Sequence, residues 1–248
     1  MNQNKFFDKA DKLSSGIPYD NKDEDDYPGA SRDGPARLTT PEEARLEREK
    51  RLENLVTPEL LTHFSRGDAL RLVDYFSTTP SAETQEIIGT PYDLYKLSPE
   101  ARAYLAKHVT GQRIIELGDA GRKINEPFFI KLGAKNLETA DPKASRVDGL
   151  TYLMRQPEGS AIITSFGVFD EGVLYMDGVE IEKPLQEYVT RLCREIYRVT
   201  QKGSITLHGL EWDGDLKNAG FASDPNTPKE LNSYFSDRGY GLRVLRKE

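Results

Sequence analysis

Arg113-Ile114-Ile115-Glu116-Leu117-Gly118-Asp119-Ala120-Gly121 decides how this chain is read. A short β-branched run that stops at a glycine has the pattern of a buried strand. A glycine turn after such a strand lets a ligand approach the backbone closely. Working outward, Asn125 is read as a helix cap with Pro127 in the first turn. That helix runs through Phe128, Phe129, Ile130 and Leu132 to Gly133, a typical helix C-terminal glycine. Residues 136–141 are read as a second strand, 147–154 as a helix and 160–166 as a strand. Residues 185–200 form an amphipathic helix with Leu185, Val189, Leu192, Ile196 and Val199 on one face. Residues 203–208 follow as a strand. A last helix, capped at Thr227-Pro228-Lys229-Glu230, is expected to run through Tyr234 and Phe235 before a strand over 241–245. Strand and helix alternate, so a mostly parallel sheet covered on both faces is the economical α/β arrangement.

Upstream the character differs. Residues 1–38 carry the acidic run Asp20-Asn21-Lys22-Asp23-Glu24-Asp25-Asp26 among scattered Gly, Pro and Ser, and are expected to be a disordered tail. Residues 39–108 read as a helical lead-in. Thr40-Pro41-Glu42-Glu43 opens a highly charged, exposed helix to about Leu55, and Thr57-Pro58-Glu59 opens a second. A third spans Asp68 to Phe76, and Ser98-Pro99-Glu100 starts a fourth. Residues 109–248 complete the α/β domain.

The chain has 248 residues, a net charge of −7 and one cysteine, Cys193. That acidity does not favour a nucleic-acid partner, which needs clustered cations. One cysteine excludes an internal disulfide and a Cys-cluster metal site, and no metal is expected. No apolar run is long enough to span a bilayer and no secretion signal opens the chain, so a cytoplasmic protein without a membrane partner is expected.

In an open parallel sheet, ligands sit at the carboxyl ends of the strands, where strand order reverses. At the end of the first strand stand Glu116, Gly118, Asp119 and Gly121; at the end of the second stands Asp141. This arrangement resembles the class I S-adenosylmethionine-dependent methyltransferases. Their acidic-Leu-Gly turn is matched by Glu116-Leu117-Gly118 and then partly by Gly121. Their Gly-Ala pair and second-strand acid are matched by Gly133-Ala134 and Asp141. Their fourth strand is matched by residues 162–166, and their Glu-x-x-Arg-Val segment before a glycine by residues 195–204. The resemblance covers about residues 105–246 and implies a Rossmann-like three-layer sandwich. Departures are Ala120 in place of a turn glycine, a longer turn before the helix, no evident third strand, and Ser204 in place of a second glycine.

The resemblance implies S-adenosyl-L-methionine as cofactor and methyl transfer to an unidentified acceptor. Glu116, Gly118, Asp119, Gly121, Asp141, Ser165 and Phe166 are the candidate cofactor-binding residues. Asp141 is read either as a ribose ligand or as an ordinary strand-end cap, Glu116 as a contact to the cofactor's amino group or as organiser of the turn. Phe166 lines the site or belongs to the core. His208 is a candidate base toward substrate or a solvated loop histidine; Trp212 stacks on a substrate or covers core. His63 and His108 read as structural. No catalytic residue is nominated, because methyl transfer depends mostly on alignment. The alternative is a non-catalytic methyltransferase-like binding or regulatory module with a degenerate cofactor site, recruiting a protein partner through the tail or the charged helix. A nicotinamide enzyme is disfavoured, since no Gly-x-Gly-x-x-Gly turn opens directly into a helix.

Overall fold

The computed structural model describes residues 40–77, 94, 97–118, 125–140, 145–165, 182–209, 213–232, 234–235 and 240–248. Residues 1–38, with the acidic run, lie outside the described residues, as do Asp119, Gly121, Asp141, Phe166 and Trp212.

Four helices precede the first strand among the described residues: α1 (Pro41–Glu53), α2 (Pro58–Leu61), α3 (Arg66–Ser77) and α4 (Pro99–Val109). Their starts follow the capping chemistry of the sequence. Thr57 Oγ1 accepts from the Leu60 N–H, and Ser98 Oγ accepts from the Ala101 N–H. In α1 only Leu52 is buried, as its run of charges requires.

The sheet is built from β1 (Arg113–Leu117), β2 (Asn136–Ala140), β3 (Ile162–Ser165), β4 (Ile205–Gly209), β5 (Phe221–Ser223) and β7 (Tyr240–Lys247), with the short β6 (Tyr234–Phe235) paired to the start of β7. The order is β2-β1-β3-β4-β7-β5. β2, β1, β3 and β4 run parallel, and β7 is antiparallel to both of its neighbours, β4 and β5. The chain crosses from β2 on one side of β1 to β3 on the other, so strand order reverses at β1. This is a Rossmann-like α/β fold.

Successive strand residues face opposite sides of a sheet, and the two cores divide accordingly. Ile114, Ile162, Leu207 and Val244 pack with α4 and with α5 (Glu126–Lys131). Ile115, Leu117, Ile163 and Leu245 pack with α6 (Gly149–Met154), α7 (Glu182–Val199) and α8 (Asp213–Asn218). Leu60, Phe64, Leu72 and Val73 of the leading helices lie in this second core. Burying each contributes about 1.5–3 kcal/mol. Pro41–Glu248 is thus one compact unit.

A directed chain of buried hydrogen bonds ties three helices together. Thr151 gives its hydroxyl proton to Asp148 Oδ2 at 2.6 Å, so the Thr57 hydroxyl must donate to Thr151 Oγ1 at 2.8 Å. Tyr188, on α7, donates to Asp148 Oδ1 at 2.8 Å and accepts from the Leu150 N–H at 3.0 Å. Asp148 also caps α6, accepting from the Thr151 N–H.

Two expectations for the C-terminal part are corrected. The helix expected to run through Tyr234 and Phe235 is a single 3-10 turn, Lys229–Asn232, followed by strand β6. Its capping residues serve other elements: Thr227 Oγ1 shares a hydrogen bond with the Tyr104 hydroxyl, and Glu230 accepts from the Ser98 N–H. The stretch 210–226, to which the sequence pattern assigns no element, contains α8 and β5.

Candidate functional site

The carboxyl ends of β1 and β3 flank the reversal point. Residues in register on neighbouring parallel strands share a face, which sorts the side chains into two rows. Thr139, Glu116 and Thr164 form one row across β2, β1 and β3. Ala140, Leu117, Ser165 and His208 form the other, across β2, β1, β3 and β4.

The first row is polar, with Glu116 and Thr164 buried and Thr139 half-buried. Glu116 is 2% exposed, and its Oε1 accepts from the Asn125 side-chain amide. Asn125 stands where a cap was expected, at the start of α5, but makes no side-chain cap bond. On either side of Glu116, the Thr139 and Thr164 hydroxyls have no hydrogen-bond partner among the described residues. A buried hydroxyl left in that state costs about 1–3 kcal/mol, so each calls for a further partner, such as an ordered water or a ligand. Ser165 Oγ, in the second row, is equally buried and also without a partner among the described residues.

Beyond Leu117 the backbone turns at Gly118, whose φ of +74° is left-handed. Its N–H still donates to the Ala140 carbonyl at 3.2 Å. Only a residue without Cβ takes this conformation cheaply, and the same lack of Cβ leaves the backbone approachable. Of the sequence-derived cofactor set, Glu116, Gly118 and Ser165 are described and lie together at these two strand ends. Asp141 follows Ala140, the last residue of β2, directly in sequence.

His208 is a fully buried strand residue rather than a solvated loop one. Burial pushes its pKa down to about 3, so the ring is neutral at physiological pH. Thr206 spends its hydroxyl proton on the Ile163 carbonyl at 2.7 Å. The Thr206 oxygen must therefore accept from His208 Nε2, which carries the ring proton. The imidazole thus lies in the row of Ser165, on the neighbouring strand.

Other candidates lie apart. His63 Nδ1 meets the Arg191 guanidinium at 3.1 Å, and His108 stacks obliquely on Tyr104. Cys193 is buried, and desolvation raises its thiol pKa well above the ordinary value. Among the described residues no group of three or more His, Cys, Asp or Glu side chains could hold a metal, and no helix is long and apolar enough to cross a membrane. Sequence reasoning missed the Thr139–Glu116–Thr164 row and the Asn125–Glu116 bond.

No family model matches the chain, and no curated protein matches it. Solved structures do resemble it. A TehB-like S-adenosylmethionine-dependent methyltransferase from Corynebacterium glutamicum is 13% identical, with 67% of this chain and 95% of that one covered and a TM-score of 0.41. A S-adenosylmethionine-dependent methyltransferase from Mesorhizobium loti is 15% identical, covering 60% and 96%, with a TM-score of 0.35. The Burkholderia thailandensis 1,6-didemethyltoxoflavin-N1-methyltransferase is 13% identical, covering 68% and 91%, with a TM-score of 0.35. The chain's own sheet, with its parallel β2-β1-β3-β4 core and antiparallel β7, is Rossmann-like.

Proposed function

We propose that this chain is an S-adenosylmethionine-dependent methyltransferase acting on an as yet unidentified acceptor. One observation carries the reading. At the strand-order reversal, a buried carboxylate (Glu116), a left-handed glycine (Gly118) and a buried hydroxyl with unused bonding capacity (Ser165) come together on adjacent strand ends. This donor set fits the cofactor. Its amino-acid end carries an ammonium, which the Glu116 carboxylate complements. Its chain has to run close to backbone, which Gly118 permits. Its ribose diol suits an acid at the end of β2, the position that Asp141 takes in sequence. When bound, the cofactor supplies a methyl group activated by a positively charged sulfur. The chain's own residues then have to bind it, orient it toward the acceptor and exclude water.

The alternative reading is a binding or regulatory module on the same fold. It is favoured by Ala120, which replaces a glycine of the resembling turns, and by His208, whose ring is neutral and has its Nε2 proton engaged by Thr206. Isothermal calorimetry separates the two readings. Methyl transfer requires saturable binding of S-adenosylmethionine and S-adenosylhomocysteine by the wild type, with both weakened in Glu116→Ala and Asp141→Ala. No binding of either ligand would leave the module reading in possession.

A further inference from the structure

Asn125 occupies the N-cap position of α5, a place its residue type favours, yet it does not cap. A cap oxygen serves the N–H of the second or third helical residue; the second here is Pro127, which has none, and Asn125 makes no side-chain bond to the third either. The Asn125 backbone is also helical, with φ −90° and ψ −10°, whereas a capping residue is usually extended. Its amide instead reaches back nine residues and donates to Glu116 Oε1 at 2.5 Å. The hydroxyls on either side of that carboxylate, Thr139 and Thr164, do not bond to it.

We infer that Asn125 is a positioning residue of the methyl-donor site, holding the Glu116 carboxylate in place from the start of α5. With Gly118 joined to the Ala140 carbonyl and Asn125 joined to Glu116, both ends of the connection from β1 to α5 are fastened to the sheet. The ligand part of the inference rests on the methyl-donor reading. The Asn125–Glu116 tether is a property of the chain without ligand.

The two roles open to Asn125 predict opposite outcomes. Asp caps a helix about as well as Asn, and so does Ser. A capping role therefore makes Asn125→Asp and Asn125→Ser silent. A tether makes both harmful: Asp sets a second carboxylate against Glu116, and Ser is too short to reach it. The exchange variant Glu116→Gln/Asn125→Asp restores an amide–carboxylate pair with its partners reversed. The experiment measures thermal midpoints without ligand and S-adenosylhomocysteine affinity by calorimetry for the wild type, the two single variants and the exchange. Losing a hydrogen bond to a charged group should weaken binding about tenfold in each single variant and lower its midpoint, and the exchange should recover most of the midpoint but not the binding, because position 116 no longer carries the carboxylate. Single variants that melt and bind like the wild type would overturn the inference. So would an exchange that melts no higher than Asn125→Asp. If the wild type itself binds no S-adenosylhomocysteine, the methyl-donor reading fails and takes the ligand role with it. The melting series then still decides the tether, by recovery or its lack.

Discussion

Replacing Tyr188 with Phe removes one oxygen from a buried polar cluster. Tyr188 is 2% exposed and Asp148 1%. The hydroxyl makes two bonds there, one to the Asp148 carboxylate and one from the Leu150 N–H. The first is a bond to a charged group; losing the second strands a buried amide at the start of α6. The usual costs, about 1.5–3 kcal/mol for the first and about 1–3 kcal/mol for the second, sum to about 2.5–6 kcal/mol, and with partial relaxation the low end, about 3 kcal/mol, is expected. Phe fills the same volume, so no cavity is added to that sum. For a compact unit of this size the melting midpoint should fall by about 6–12 °C. Urea unfolding should show a lower midpoint at unchanged slope, because the native contacts elsewhere remain. Asp148 keeps its two bonds from Thr151, so the variant should still fold. A loss below about 1 kcal/mol would refute the reasoning, since it would mean that neither bond carries its ordinary weight.

Three further outcomes are expected. The Arg113 guanidinium, with Tyr152 and Asn136 also donating, holds the Glu138 carboxyl at about 2, against burial that would raise it. A depressed acid pKa stabilises above the ordinary value of 4.5 and loses that contribution as pH falls toward 2, so the stability gap between wild type and Glu138→Gln should close over that window in acid-denaturation curves. His208 behaves in the same sense at higher pH: its unfolded form takes a proton first, so its contribution is full above the ordinary 6.5 and is lost as pH falls toward about 3, and its ring resonances in NMR should not titrate near neutrality. Gly133→Ala places a Cβ at φ +93° and 3.1 Å from Thr110 Oγ1, which is held by the Ala106 and Leu132 carbonyls; it should cost about 1–2 kcal/mol in chemical denaturation.

The α/β alternation was legible because its elements carry strong local signals. The β-branched run at 113–117, the amphipathic face of α7 and the Thr57 and Ser98 caps all appear where the residue pattern puts them. What escaped was set by tertiary contacts. Thr227 and Glu230 look like a cap and its partner, but one bonds Tyr104 and the other Ser98, so the helix they announce stops after one turn. α8 buries only Leu216 among its described side chains, and β5 is three residues long, too little pattern for either to stand out from a loop. At the site, Glu116, Gly118 and Ser165 could be named from the order of the motifs, since strand ends in a parallel sheet fall together. The Asn125 bond and the threonines beside Glu116 could not, because register between strands decides them.

The central claim concerns one place, the carboxyl ends of β1 and β3, and a co-crystal structure with S-adenosylhomocysteine tests it most directly. The account predicts ligand density against the Gly118 backbone and within hydrogen-bonding reach of Ser165. Ligand bound elsewhere on the chain, with those strand ends left bare, would contradict it.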